Sequence, residues 1–208
     1  TDGYRSLSEE FGVPLLGGDT TSSQDRIAIN VTAIGRIARA KVKYRSGARE
    51  NDIVYVTGYL GDSAQGLLDI RSGVYDSPFV AVHHDPHPCV NEGIWLGNQP
   101  EVHAMMDISD GLASDLPHIL EESETGAEIS IERIPTRTTV ELAVTGGEDY
   151  QLLLTVGAEA ADRIAAEYVR HFGKPLYGIG RIRSGAPDII WSDNGEVVRP
   201  QWKGFRHF

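Results

Sequence analysis

Residues 52–70 read DIVYVTGYLGDSAQGLLDI. The run as far as Thr57 is short and β-rich, Gly58 and Gly61 bracket a turn, and a helical stretch follows from Asp62, so the order is strand, glycine turn, helix. The same grammar recurs toward the C-terminus. Residues 86–88 (PHP) break whatever precedes them, residues 90–97 restart a helix, and 104–108 form a short strand. From Asp110 onward Leu112, Leu116, Ile119 and Leu120 fall at i, i+4, i+7 and i+8, one face of a helix, with Pro117 as a candidate kink. Strands are expected near 127–131 and 150–156, a helix over 158–171, and short strands over 176–182, 188–191 and 196–198, with Asp193-Asn194-Gly195 as a hairpin turn.

On the N-terminal side, residues 26–36 (RIAINVTAIGR) alternate Ile27, Ile29, Val31 and Ala33, the period of a half-buried strand. Residues 13–16 read as another strand, and residues 8–11 as the last turns of a helix already under way; with Thr1 in place of an initiator Met, this predicts further residues upstream. The basic, Gly- and Asn-bearing segment 41–52 marks a boundary between two domains. Strands and helices in this mixed order predict an α+β fold, a mixed or largely antiparallel sheet with helices on one side. A strictly wound dinucleotide-binding domain fits less well, because the elements do not alternate cleanly and no G-x-G-x-x-G follows a strand.

The bulk properties narrow the partners. Among 208 residues, 30 acidic against 19 basic side chains give a formal charge of -11, which repels a nucleic-acid backbone and favours cations such as Mg²⁺. No apolar run approaches the roughly 20 residues of a membrane span. The sole cysteine, Cys89, excludes an intrachain disulfide and fits a reducing cytoplasm. Common nucleotide and hydrolase signatures are missing: no G-x-x-x-x-G-K-[ST] loop, no H-R-D and D-F-G pair, no C-x-x-C, no H-E-x-x-H and no G-x-S-x-G.

Three glycine-flanked acidic clusters remain. In residues 17–21 (GGDTT), Asp19 follows an apolar run, where glycines let a ligand approach the backbone and a carboxylate suits Mg²⁺; a plain turn in which Asp19 bonds its own backbone accounts for it as well. Residues 107–112 (DISDGL) place two acids and Ser109 at a strand-to-helix junction. There the helix N-terminus can receive phosphate and Asp107 can hold a metal, although Ser109 or Asp110 could simply cap the helix. Residues 145–150 (TGGEDY) repeat the pattern, with a turn as the alternative.

Weaker candidates surround these clusters. The backbone of the turn at 58–67 could contact a phosphate, and Arg45 could fork onto one or stay solvated. His83, His84 and His87 do not make a helical metal pair, because Pro86 interrupts them. The terminal 202–208 (WKGFRHF) is either a core-packing tail or a lid over an aromatic substrate.

Taken in order, GGDTT, YRSGA, VTGYLGDSAQGL, HHDPHP, MDISDGLASDLPHI, TGGEDYQL and WKGFRHF resemble the thiamine-monophosphate kinase family, of the superfamily that includes aminoimidazole ribonucleotide synthetase. GGEDY combined with a terminal W-K-G-aromatic is the most specific part of the match. The resemblance implies transfer of the ATP γ-phosphate to thiamine monophosphate with Mg²⁺, by a cytoplasmic homodimer joined through its N-terminal domain. It divides the chain into residues 1–46, the end of that ATP-binding domain, and residues 47–208, a C-terminal mixed α/β sandwich domain. Carried over by motif, Gly18 and Asp19 would contact ATP, Asp19 also Mg²⁺, and Arg45 an ATP phosphate. Asp107 and Asp110 would bind Mg²⁺ at the catalytic centre and Ser109 the nucleotide, with Glu148 and Phe205 on the thiamine portion.

Two departures stand out: the family's G-D-D and S-T-D aspartate motifs do not occur here, and Cys89 follows the Pro-x-Pro that usually precedes Arg. Alternative readings are a superfamily sibling (purine synthetase, selenophosphate synthetase or hydrogenase-maturation type) or a non-catalytic nucleotide-binding module.

Overall fold

The structure is a computed structural model that describes residues 2–202. The chain divides into two compact units, Thr1–Ala38 and Arg39–Phe208. In the first unit the described residues form one helix, α1 (Asp2–Phe11), the helix read at 8–11 extended toward the N-terminus. Neither 13–16 nor 26–36 becomes a strand: Ile27 is 91% exposed, Ile29 and Val31 lie open as well, and the segment joins no ladder among the described residues. Alternation alone does not make a strand, because extended backbone is stable only when its N–H and C=O groups are paired and one face is covered.

The second unit holds a seven-stranded sheet, β1 (Ile53–Val56), β2 (Val102–Asp107), β3 (Gly126–Ser130), β4 (Leu152–Val156), β5 (Tyr177–Arg183), β6 (Ile189–Asp193) and β7 (Glu196–Val198), in the order β2-β4-β1-β5-β3-β6-β7. All neighbours are antiparallel except β3 and β6, so the sheet is mixed, as expected. The β6–β7 hairpin turns at Asn194 and Gly195, both with positive φ (49° and 85°), the turn geometry that Asn-Gly favours.

Among the described residues the unit also holds helices α2 (Asp62–Arg71), α3 (Pro78–His84), α4 (Val90–Gly97), α5 (Leu112–Ser123), α6 (Val140–Thr145) and α7 (Ala161–Phe172). The strands alternate strictly in what they bury. Val54, Val56 and Leu153 join a core with Leu112, Leu116, Ile119 and Leu120 of α5 and with Ala143 and Val144 of α6. Tyr55, Leu154 and Val156 face the other way, onto Leu96 of α4 and onto Ile164 and Tyr168 of α7. Helices thus pack on both faces and not on one, because both sides of β1 and β4 are apolar and each needs a cover. Helix α5 runs unbroken through Pro117: its apolar face is buried along its length, and burying several Leu and Ile side chains at about 1.5–3 kcal/mol each outweighs the roughly 3 kcal/mol a proline costs. No helix among the described residues is long and apolar enough to cross a membrane.

Candidate active site

Strand β2 ends at Asp107, whose side chain is exposed at the sheet's rim. Beyond it the pairing with the β4 side continues through loops. Ile108 N–H donates to the Gln151 carbonyl at 2.8 Å, Tyr150 N–H to the Ile108 carbonyl at 2.9 Å, and Glu148 N–H to the Ser109 carbonyl at 2.8 Å. These bonds bring two of the three sequence clusters together, so Asp107, Asp110 and Glu148 share one rim of the unit. The approach is close enough to require glycine. Gly111, at φ +96°, would put a Cβ 2.7 Å from the Gly146 carbonyl oxygen, and one at Gly147 would lie 2.6 Å from that of Ser109.

Gly111 is the residue before α5, so neither Ser109 nor Asp110 caps the helix. Instead Asp115, from within α5, turns back. Its Oδ2 accepts the N–H groups of Ser109 at 3.0 Å and Asp110 at 2.9 Å. Those two amides are therefore occupied, and the phosphate-receiving role read for this junction does not fall to them. Asp115 is buried, and burial pushes its carboxyl above the usual carboxylate range against the pull of those bonds, with Asp110 and Asp107 adding like-charge repulsion.

A second buried carboxylate does the same for the turn after β1. Asp149, 8% exposed, accepts Gly61 N–H at 2.8 Å and Ser63 N–H at 3.4 Å, at the N-terminus of α2. The glycine turn read as a possible phosphate contact is thus filled by the protein's own acid. Burial raises the Asp149 carboxyl to about 7, opposed by the Gly61 and Ser63 amides and assisted by the neighbouring charge of Asp62. Asp62 is itself buried and held by Arg137, whose Nε donates to Oδ2 at 3.0 Å and whose Nη2 makes a second bond to the same oxygen. The Arg137 guanidinium lies 4.8 Å over the Tyr59 ring, and Asp62 Oδ1 is buried with no partner.

Other sequence candidates lie elsewhere. Arg45 sits in a short 3-10 turn (Arg45–Gly47) whose Arg45 carbonyl accepts Ser123 Oγ at 2.7 Å, at the C-terminal end of α5. The carboxylates are at the other end of that 12-residue helix, about 18 Å away at 1.5 Å per residue, so Arg45 is not brought to them. Gly18 and Asp19 belong to the first unit; both are exposed, and Asp19 Oδ1 accepts Thr20 N–H at 2.8 Å, the local turn bond weighed from sequence. Phe205 lies outside the described residues. Of the histidines, His83 bonds Ser63 Oγ through Nδ1 at 2.9 Å, and α3 ends before His87.

Among the described residues no group of three His, Cys, Asp or Glu side chains could hold a metal ion. Asp107 and Asp110 are nonetheless the right donors for Mg²⁺, a hard ion that uses one or two carboxylates and completes its shell with water and substrate phosphates. Sequence reasoning misses Asp115 and Asp149, although both stand inside the quoted motifs; an acid a few residues from a glycine turn, within an apolar stretch, is the signal they offer.

Comparison with known proteins agrees with this architecture. The family described as AIR synthase related protein, C-terminal domain, matches residues 49–191. Thiamine-monophosphate kinase of Bacillus subtilis (strain 168) is 33% identical over 224 residues, covering 100% of this chain and 68% of that protein. Among solved structures, thiamine-monophosphate kinase from Stenotrophomonas maltophilia K279a superposes with a TM-score of 0.65 at 27% identity, covering 78% of this chain and 56% of that one. AaThiL complexed with AMPPCP and TMP gives 0.63 at 30% identity, covering 79% and 53%. The chain spans about two thirds of the curated relative and little more than half of the solved chains. By family match, identity along the whole of this chain and fold, this chain belongs to the thiamine-monophosphate kinase family of the AIR synthase related proteins.

Proposed function

We propose that the protein of which this chain is part transfers the γ-phosphate of ATP to thiamine monophosphate, giving thiamine diphosphate. One observation carries the reading: the bonds from Glu148 and Tyr150 to the 108–109 backbone hold Asp107 and Asp110 beside Glu148 on a single rim. Two metal-type carboxylates next to a separate acid suit a reaction between two phosphates. The relative complexed with AMPPCP and TMP, an ATP analogue and an acceptor, supports the same pair of substrates here. Asp107 and Asp110 would hold Mg²⁺, which supplies charge screening on the phosphate oxygens when bound. Ser109, and Gly18 with Asp19 from the first unit, would meet the nucleotide, with Asp19 a further Mg²⁺ ligand. Glu148 and Phe205 would meet the thiamine portion. Arg45, a helix length from the carboxylate rim, lies beyond the span of a triphosphate bound there and takes no part in this reading.

The acceptor is already an anion, so no strong general base is needed, and catalysis rests on in-line positioning and charge neutralisation. The crowding of Asp107 and Asp110 against buried Asp115 favours a cation at this rim. Residues 1–46 would be the end of an N-terminal ATP-binding domain that also joins a cytoplasmic homodimer, and 47–208 the C-terminal domain. The test is an assay of the full-length protein with ATP, thiamine monophosphate and Mg²⁺, in wild type and Asp107→Asn. Thiamine diphosphate should form, and the variant should lose at least about 100-fold in turnover (about 2.7 kcal/mol) while keeping its fold. Absence of product from the wild type, or unchanged turnover in the variant at limiting Mg²⁺, sinks the proposal.

A further inference from the structure

The loop at 146–151 has an unusual backbone. Glu148 and Tyr150 both have positive φ, 68° and 49°, a left-handed conformation that non-glycine residues adopt only when their surroundings impose it. Asp149 lies between them. Its two neighbours donate their N–H groups to Ser109 and Ile108 on one side, while its own carboxylate reaches the opposite way, to Gly61 and Ser63. The three residues therefore act as a staple: the outer two are sewn to the 108–109 backbone, and the middle one is sewn to the start of α2. With Asp149 drawn inward to 8% exposure, Glu148 is left exposed on the rim that carries Asp107 and Asp110.

We infer that Asp149 is a positioning residue that sets the direction of Glu148, and through it the affinity for the acceptor, without touching substrate. The inference rests on the reading of Glu148 as an acceptor contact. An amide at this position replaces the carboxylate only in part: its one oxygen can accept either the Gly61 or the Ser63 N–H, and its NH₂ then faces the other donor. The loop then loses part of its inner anchor and relaxes from the left-handed geometry at Glu148 and Tyr150.

Two measurements test this. In the wild-type full chain, amide hydrogen exchange should show Gly61 protected and opening together with Glu148 and Tyr150 as one unit. A Gly61 amide exchanging at the rate of an unstructured peptide, while Glu148 stays protected, overturns the inference. In steady-state kinetics, Asp149→Asn should raise the KM for thiamine monophosphate about tenfold or more with the KM for ATP within about twofold. Adding Tyr150→Gly to that variant, which makes a positive φ costless, should recover part of the loss. An acceptor KM unchanged in a folded Asp149→Asn variant, or both KM values rising together, refutes the positioning role. If the wild type makes no product, the kinase reading fails, and the exchange result still decides the staple.

Discussion

The buried carboxyl of Asp149 predicts an inverted pH dependence of stability. Its value of about 7 in the folded chain stands against 3.8 for a free aspartate, with burial as the main cause. Between those values the native state holds a proton that the unfolded chain releases, so stability falls as pH rises across that window. The contribution is fully present below the unfolded value and lost above about 7. At about 1.4 kcal/mol per unit, the span corresponds to about 4 kcal/mol, and to about 3 kcal/mol between pH of about 5 and about 8. Urea unfolding followed by tryptophan fluorescence is the suitable assay, because Trp95, Trp191 and Trp202 all belong to the unit Arg39–Phe208 and report on it alone. Comparison with Asp149→Asn isolates the effect, since Asp115, also raised by burial, titrates in both proteins and cancels. The stability difference between wild type and variant should change by about 3 kcal/mol over that range, wild type losing more as pH rises. Parallel pH profiles for the two proteins would refute the argument.

Two further outcomes follow from packing. Leu116→Ala removes a side chain with no exposure from the centre of the α5 face and should cost about 2–5 kcal/mol in urea unfolding. Arg137→Ala leaves Asp62, only 3% exposed, as an uncompensated buried charge; because the arginine itself is half-exposed, the loss should be about 2 kcal/mol, and Asp62→Asn in the same background should return most of it.

How much of this was legible in the sequence depended on where each signal resided. The strands β1 to β7 were readable because short β-rich runs sit between glycine, proline and Asn-Gly turns. Helices α3 and α6 were not, being only seven and six residues long. Their evidence was confined to caps: Ser77 accepts Phe79 N–H at 3.2 Å and Thr139 accepts Leu142 N–H at 3.2 Å. Residues 26–36 misled in the opposite direction, since their alternation has no ladder partner among the described residues. The clustering of Asp107 and Asp110 with Glu148 was anticipated by motif, yet the carboxylates of Asp115 and Asp149 that set those loops were not. An acid that turns inward to bind backbone amides looks, letter by letter, like one that faces solvent.

The strand order has a consequence for how the molecule is made. Among the described residues only β6 and β7 pair with a neighbour adjacent in sequence across a tight turn; β1 waits for partners that arrive much later, since Ile53 pairs with Val156 on one side and Arg181 on the other. Such non-local pairing slows folding, because chain entropy is lost before contacts compensate. On the ribosome β1 lacks its β4 partner until residue 156 has emerged and its β5 partner until residue 183, with apolar surface exposed meanwhile to association with other chains. The carboxylate rim, joined through β2 and β4, is therefore complete only once residue 156 has emerged, and a chain released before that point would carry Asp107 and Asp110 without the strand that aligns them with Glu148.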